Sequence, residues 1–171
     1  MTVTVVHGTV GSPLGELLLV GEESATAPGG VALVSLSVPG QKGGAVVEDG
    51  WRCAPEAFGA VAEQLRAYFA GELTRFDVEF AGGGSDFQRR VWGALEGLEY
   101  GETVSYGEIA TRIGMSPGAG VRAVGTAIGR NPLLVVRPCH RVIGADGALR
   151  GYAGGLERKQ ALLELEGALV A

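Results

Sequence analysis

The chain has 171 residues, 46% of them apolar and 19% charged, with a formal net charge of −5. That balance excludes a disordered chain, and no apolar run approaches the ~20 residues of a membrane helix. The opening run Met1-Thr2-Val3-Thr4-Val5-Val6-His7 lacks the basic-then-apolar order of a signal peptide, so a cytoplasmic protein is expected. Two cysteines, Cys53 and Cys139, and two histidines, His7 and His140, are too few for a disulfide framework. No two of these four stand at a zinc-finger spacing. A single 53–139 bridge stays open on this count, although a reducing compartment is expected. The acidic charge is uneven: residues 87–141 hold seven arginines against four glutamates, a local +3. A basic patch on an acidic protein suits phosphate, and ordinary scatter of charge explains it equally well.

In chain order, Val3, Val5, Leu17-Leu18-Leu19-Val20 and Val31 through Val38 read as strands parted by Gly-rich turns. Pro55 can open a helix, with Phe58, Val61, Ala62, Leu65, Tyr68 and Phe69 at helical spacing and Gly71 to end it. Phe76 to Phe80 alternates like a strand with one exposed face. The run Ala81-Gly82-Gly83-Gly84 marks a boundary, giving domains 1–81 and 85–171. Beyond it, Ser85-Asp86-Phe87-Gln88 is a capping box, and Phe87, Val91, Leu95 and Leu98 form an apolar stripe. Ser105-Tyr106-Gly107-Glu108 is a second capping box, opening a helix through Ile113 that Gly114 closes. Ser116-Pro117 opens a third helix, with Val121, Val124 and Ile128 inward. The last two helices form a helix-turn-helix. The outer face of the third carries Arg122, Gly125, Thr126 and Gly129, one long cation among small residues. Such a face suits close approach to DNA, and tight helix packing explains it as well.

Leu133 to Val136 reads as a short buried strand that ends in Arg137-Pro138-Cys139-His140-Arg141, followed by a second strand, Val142-Ile143. Pro138 fixes the backbone ahead of the thiol. A free thiol has a pKa of about 8.5, and its thiolate is the nucleophile. Arg137 and Arg141 are expected to supply positive charge near Cys139, with His140 as the base. Neighbours in an extended segment point opposite ways, so His140 needs a turn or a water to reach Cys139. The bland alternative is a cysteine acting as a small buried hydrophobe. In the last helix Leu162, Leu163, Glu166 and Val170 share a face. A carboxylate within that stripe is costly unless paired. Cys139–His140–Glu166 is then a nucleophile–base–orienter chain; otherwise Glu166 belongs to a frayed, solvated helix end.

Residues 86–167 closely resemble the O6-alkylguanine-DNA alkyltransferases. Phe87-Gln88-x-x-Val91-Trp92, Gly101-Glu102-Thr103-Val104-Ser105-Tyr106, Arg122-Ala123-Val124-Gly125, Asn131-Pro132, Pro138-Cys139-His140-Arg141-Val142-Ile143, Gly151-Tyr152-Ala153-Gly154-Gly155-Leu156 and Leu162-Leu163-x-Leu165-Glu166-Gly167 carry the resemblance in order and spacing. The first half fits more loosely, through its strands, its helix and the Ser12-Pro13-Leu14-Gly15 turn. The resemblance implies an α+β protein: an N-terminal α/β unit of ribonuclease-H-like topology, and a mostly helical C-terminal domain with the helix-turn-helix. It implies that Cys139 takes an alkyl group from O6 of guanine, and O4 of thymine stays open as a second source. His140, through a water, removes the thiol proton, and Glu166 orients His140. Tyr106 donates to the flipped base and crowds the backbone phosphate. Arg122 fills the space left in the duplex. Asn131 braces the helix-turn-helix against the active-site strand. Backbone groups at Cys139 and Val142 read the guanine edge, and the Tyr152-Ala153 loop closes over it. Docking in the minor groove comes from the resemblance alone, since a helix-turn-helix more often enters the major groove.

Several expectations follow from this chemistry. The thioether product has no ready leaving group, so each molecule turns over once, without cofactor or metal. The partner is duplex DNA containing O6-alkylguanine, with no membrane and no obligate protein partner, and the protein acts as a monomer. Zinc-binding members of the family use cysteines and histidines in the first half, where this chain has only His7 and Cys53. Arg137 stands where many members have an aliphatic residue; it either lowers the Cys139 pKa or points to solvent. Gly118-Ala119-Gly120-Val121 looks looser than usual at the start of the reading helix. The rivals are a non-catalytic binder of alkylated DNA, which would not need Cys139, a transcription factor using the helix-turn-helix alone, and a thiol hydrolase, which would leave Arg122 and Tyr106 unexplained.

Overall fold

The computed structural model describes residues 3–116, 118 and 120–169. Two units part between Gly82 and Gly83. In the first, β1 (Val5–Val10), β2 (Leu17–Glu23), β3 (Val31–Ser37) and β4 (Arg52–Cys53) form a sheet in the order β3-β2-β1-β4. β1 and β2 pair antiparallel, as do β2 and β3, while β4 runs parallel to β1. A register shift falls between Val20 and Gly21. A Cβ on Gly21 would stand 2.9 Å from the Ala32 carbonyl, so only glycine fits where β2 bulges against β3. Pro55 opens a 3-10 turn rather than the helix itself, and α1 runs Gly59–Phe69. Phe58, Val61, Ala62, Leu65 and Tyr68 are buried, so the helical stripe expected from the sequence faces the core of this unit.

The expected strand at Phe76–Phe80 shrinks to one parallel bridge, Leu33 to Phe80. Gln64 explains the loss. Its side chain accepts from the Asp77 N–H at 2.7 Å and donates to the Asp77 carbonyl at 2.8 Å, taking both groups a ladder would need.

The second unit is mostly helical: α2 (Asp86–Glu96), β5 (Val104–Ser105), α3 (Tyr106–Arg112), α4 (Val121–Gly129), β6 (Val142–Ile143) and α5 (Leu156–Leu165). Ser85 and Gln88 form the full capping box at α2. Val91, Trp92, Leu95 and Leu98 are buried, and Trp92 Nε1 donates to the Ala127 carbonyl of α4 at 2.9 Å. At α3 Ser105 Oγ accepts from the Glu108 N–H at 3.1 Å. α4 starts at Val121 on Gly120, whose φ is 72°, and not at Ser116-Pro117 as the sequence suggests. Gly118 (φ 83°) and Gly120 both take the left-handed conformation that glycine adopts without strain. Pro117 and Ala119 lie outside the described residues, as does Val170 of the expected last stripe. Val124, Ala127 and Ile128 face inward from α4.

Leu133 to Val136 is a turn, not a strand. Asn131 folds it: Oδ1 accepts from the Leu133 N–H at 3.0 Å, and Nδ2 donates to the carbonyls of Leu133 (3.2 Å) and Arg137 (3.0 Å). The tightness shows at Val135, whose φ is 69°, a costly value for a β-branched residue. A single 3-10 turn, Cys139–Arg141, then leads into β6. β6 pairs parallel with β5, Val104 beside Val142 and Ser105 beside Ile143. That pairing ties the start of α3, and hence Tyr106, to the strand directly after Cys139. The Ser85→Ala variant loses one side of the box that starts α2 and is expected to be about 1 kcal/mol less stable in urea unfolding, with an unchanged denaturant slope.

Candidate active site

The site is built around a buried carboxylate. Glu166 caps the C-terminal end of α5, and its side chain is fully buried. Arg141 grips it with two nitrogens, Nε to Oε1 at 2.8 Å and Nη2 to Oε2 at 2.9 Å. Arg141 Nη1 also donates to the Leu98 carbonyl at 2.7 Å. The Gly101 N–H reaches Oε1 at 3.3 Å. His140 Nε2 stands 2.8 Å from Oε2. A carboxylate only accepts, so Nε2 carries the ring proton and Nδ1 the lone pair. Nδ1 is buried without a hydrogen-bond partner among the described residues. Burial lowers the His140 pKa, against the pull of Glu166, so the imidazole is neutral at pH 7.

Arg141 therefore serves Glu166, not the thiol as the sequence suggests. The alternative of a frayed, solvated helix end is excluded, because the carboxylate is sealed inside.

Cys139 is 3% exposed. Its N–H donates to the Arg137 carbonyl at 2.7 Å. Both cysteines are free. Burial pushes the thiol up to about 11; Asn131, Lys159, its own backbone and Arg137 pull it down without overcoming that cost. The resting group is therefore the thiol, and it needs a base, as the sequence reading with His140 expects. Arg137 does not point to solvent; of the two alternatives it lowers the Cys139 pKa, though by less than burial raises it. It is 7% exposed, bonds Glu96 at 2.9 Å and lies 5.0 Å over the Trp92 ring.

Tyr106 is half-buried at the start of α3, and its hydroxyl donates to the Arg150 carbonyl at 3.2 Å. Burial and the nearby Cys139 raise its pKa, so it stays a donor. Asn131 is 2% exposed; its N–H donates to the Ile128 carbonyl of α4 and its amide holds the turn before Cys139. Arg122, Thr126 and Gly129 form open surface on α4, whereas Gly125 is half-buried against the Tyr106 ring. Val142 is fully buried and its N–H donates to the Cys139 carbonyl. Tyr152 and Ala153 are half-buried. A Cβ on Gly154 would stand 2.8 Å from the Tyr152 ring, so this glycine lets the loop fold onto itself. One buried cation, Lys159, escapes a reading of the sequence altogether. In Leu156-Glu157-Arg158-Lys159-Gln160 it looks like one more surface charge, yet it is 1% exposed. Among the described residues no three His, Cys, Asp or Glu side chains gather as a metal site, and no helix is long and apolar enough to cross a membrane.

A buried cysteine, a neutral histidine and a carboxylate behind it, set beside a helix-turn-helix, define a DNA-directed protein with a cysteine nucleophile. Residues 5–81 match the family model for the ribonuclease-like domain of 6-O-methylguanine DNA methyltransferase, and residues 86–168 that for its DNA-binding domain. The chain belongs to this family, the O6-alkylguanine-DNA alkyltransferases. The methylated-DNA–protein-cysteine methyltransferase of Mycolicibacterium paratuberculosis is 54% identical over 160 residues, covering 94% of this chain and 91% of the relative. The protein of the same name from Methanosarcina acetivorans is 49% identical over 156 residues, covering 91% and 94%. The crystal structure of Mycobacterium tuberculosis OGT in complex with DNA superposes with a TM-score of 0.83 at 51% identity, covering 94% and 92%.

Two outcomes follow from the buried network. Arg141→Leu leaves the Glu166 carboxylate without its bidentate partner and is expected to cost about 3–5 kcal/mol in denaturant unfolding. His140 has a folded pKa below its unfolded value of about 6.5. Its contribution to stability is full above that value and is lost as pH falls through the lower folded value. The melting temperature should therefore drop on acidification below about pH 6.5, with a shallower acid limb in His140→Gln.

Proposed function

We propose that this protein repairs DNA by moving an alkyl group, methyl foremost, from O6 of guanine in duplex DNA to Sγ of Cys139, once per molecule. The observation that carries the reading is His140: Glu166 holds its Nε2–H, which leaves the Nδ1 lone pair as the base inside a buried thiol site. An O6 group inside a duplex is out of reach, so the nucleotide rotates out, at a cost of a few kcal/mol. Arg122 on the open face of α4 enters the gap, with Thr126 and Gly129 allowing close approach and Gly125 seating Tyr106. His140 takes the thiol proton through a water. Sulfur then attacks the alkyl carbon as the carbon–O6 bond breaks, and the electron pair leaves on guanine. Tyr106 lets go of the Arg150 carbonyl and donates to the departing base, so guanine leaves neutral. Proton return from the imidazolium restores Tyr106; the net change moves one proton from sulfur to guanine. Backbone groups at Cys139 and Val142 hold the base edge, and Tyr152-Ala153 closes over it. The family relationship supports each of these roles.

A thioether has no leaving group that water readily displaces, which makes the protein a consumable acceptor. The same chemistry needs no cofactor. We place it in the cytoplasm as a monomer, where its free thiols stay reduced and its substrate DNA lies; O4-alkylthymine is a second substrate to be tried. The test is incubation with duplex DNA carrying a labelled O6-methyl group on guanine. Label on protein should saturate near one methyl per chain, and none should transfer in Cys139→Ala. Binding without transfer, or repeated release of label, would contradict the reading. Because phosphate contacts dominate capture, the transfer rate at limiting DNA should fall as salt rises from 50 to ~200 mM.

A further inference from the structure

Lys159 is a buried ammonium that the proposed reaction does not use. It sits on α5, and Nζ donates to the carbonyls of Arg150 at 2.7 Å and Gly151 at 3.3 Å. Those bonds use two of its three N–H groups. No carboxylate among the described residues lies within ion-pair distance of it. A buried charge without a counter-charge is costly, and a glutamine could donate to the same two carbonyls without that cost. The carbonyl it holds is also the one that accepts from Tyr106, at 3.2 Å, so Lys159 and Tyr106 meet at Arg150. Among the described residues, the acidic group whose charge acts on Lys159 is Cys139, and the effect is mutual.

We propose that Lys159 is a positioning residue of this site: its ammonium fixes the Arg150-Gly151 backbone against Tyr106 and is the counter-charge of the Cys139 thiolate while that thiolate exists. The inference rests on the alkyl-acceptor reading of Cys139. It explains why a lysine, and not a neutral donor, is sealed at this place. It also explains how a thiol pushed up by burial ionises in step with proton loss to His140.

The charged and titratable groups that act on the thiol are Tyr106, Arg137 and Lys159, with the Asn131 amide bonded to it and His140 next in the chain. His140 titrates below its usual value, Tyr106 above its own, and Arg137 is held by Glu96. Lys159 alone is brought into the working range, to about 8, by burial. The test measures the alkylation rate of Cys139 by iodoacetamide against pH, in the full-length chain with Cys53→Ser, so that DNA binding plays no part. While Lys159 is charged, the rate should climb tenfold per pH unit; as Lys159 loses its proton near pH 8, it should bend to a shoulder. Lys159→Gln keeps the donors and loses the charge. It should remove the shoulder and slow alkylation at pH 7 by about tenfold, equal to one unit of thiol pKa. Lys159→Arg should keep the pH 7 rate within about threefold, a shift of roughly half a unit. A Gln variant with the wild-type rate and shoulder overturns the proposal. So does a wild-type profile without a shoulder, which requires no variant to fold. Methyl transfer from O6-methylguanine DNA, run in parallel on the wild type, judges the acceptor function separately.

Discussion

The second unit depends on one carboxylate. Glu166 takes the last turn of α5, the Arg141 guanidinium, the Gly101 N–H and the His140 ring into a single buried cluster. Three segments distant in sequence meet there, residues 98–101, 140–141 and the end of α5 at 166. Such a pair is not a cheap source of stability, because desolvation offsets most of the attraction. Its effect is on geometry. With Oε2 accepting from Nε2, His140 has one tautomer, one ring orientation and one free lone pair. Arg141 makes that fixed, since its fork holds both oxygens in the plane from which they meet the imidazole.

Burial gives this arrangement its chemical character. A thiol pushed up to about 11 by burial rests protonated near neutral pH, so forming the thiolate requires a base for its proton. The histidine is neutral for the same reason, which keeps it able to accept a proton. Tyr106 stays protonated and able to give one. Desolvation thus raises Cys139 and Tyr106 and lowers His140, so all three groups rest uncharged. Nearby charges trim these shifts and do not set them.

Much of this was legible in the chain. Ser85 and Gln88 announce α2 because a capping box is local chemistry between residues three apart. The apolar stripes of α1, α2 and α4 are equally local. Cys139, His140 and Glu166 could be joined because a carboxylate in an apolar stripe needs a partner. The failures share one cause: side-chain hydrogen bonds and burial, which backbone propensity and spacing do not reveal, decide the structure. Gln64 takes the backbone groups of Asp77 and dissolves a strand that alternation alone would form. Asn131 bends Leu133 to Val136, whose composition favours extension. Arg141 lies two residues from the thiol in sequence yet turns to Glu166. Lys159 stands among charged residues on a helix, and nothing in its spacing tells that its face is the buried one.

The account stands or falls on the protonation state of one ring. Nitrogen-15 NMR of the imidazole, on protein labelled in histidine, resolves Nδ1 from Nε2 and a neutral ring from a charged one. In the unreacted protein at pH 7, His140 should be neutral, with the proton on Nε2 and an unprotonated Nδ1, and replacing Glu166 with glutamine should abolish that single-tautomer signature. An imidazolium at pH 7, or a proton resident on Nδ1, would contradict the claim that Glu166 arms His140 as the base for Cys139.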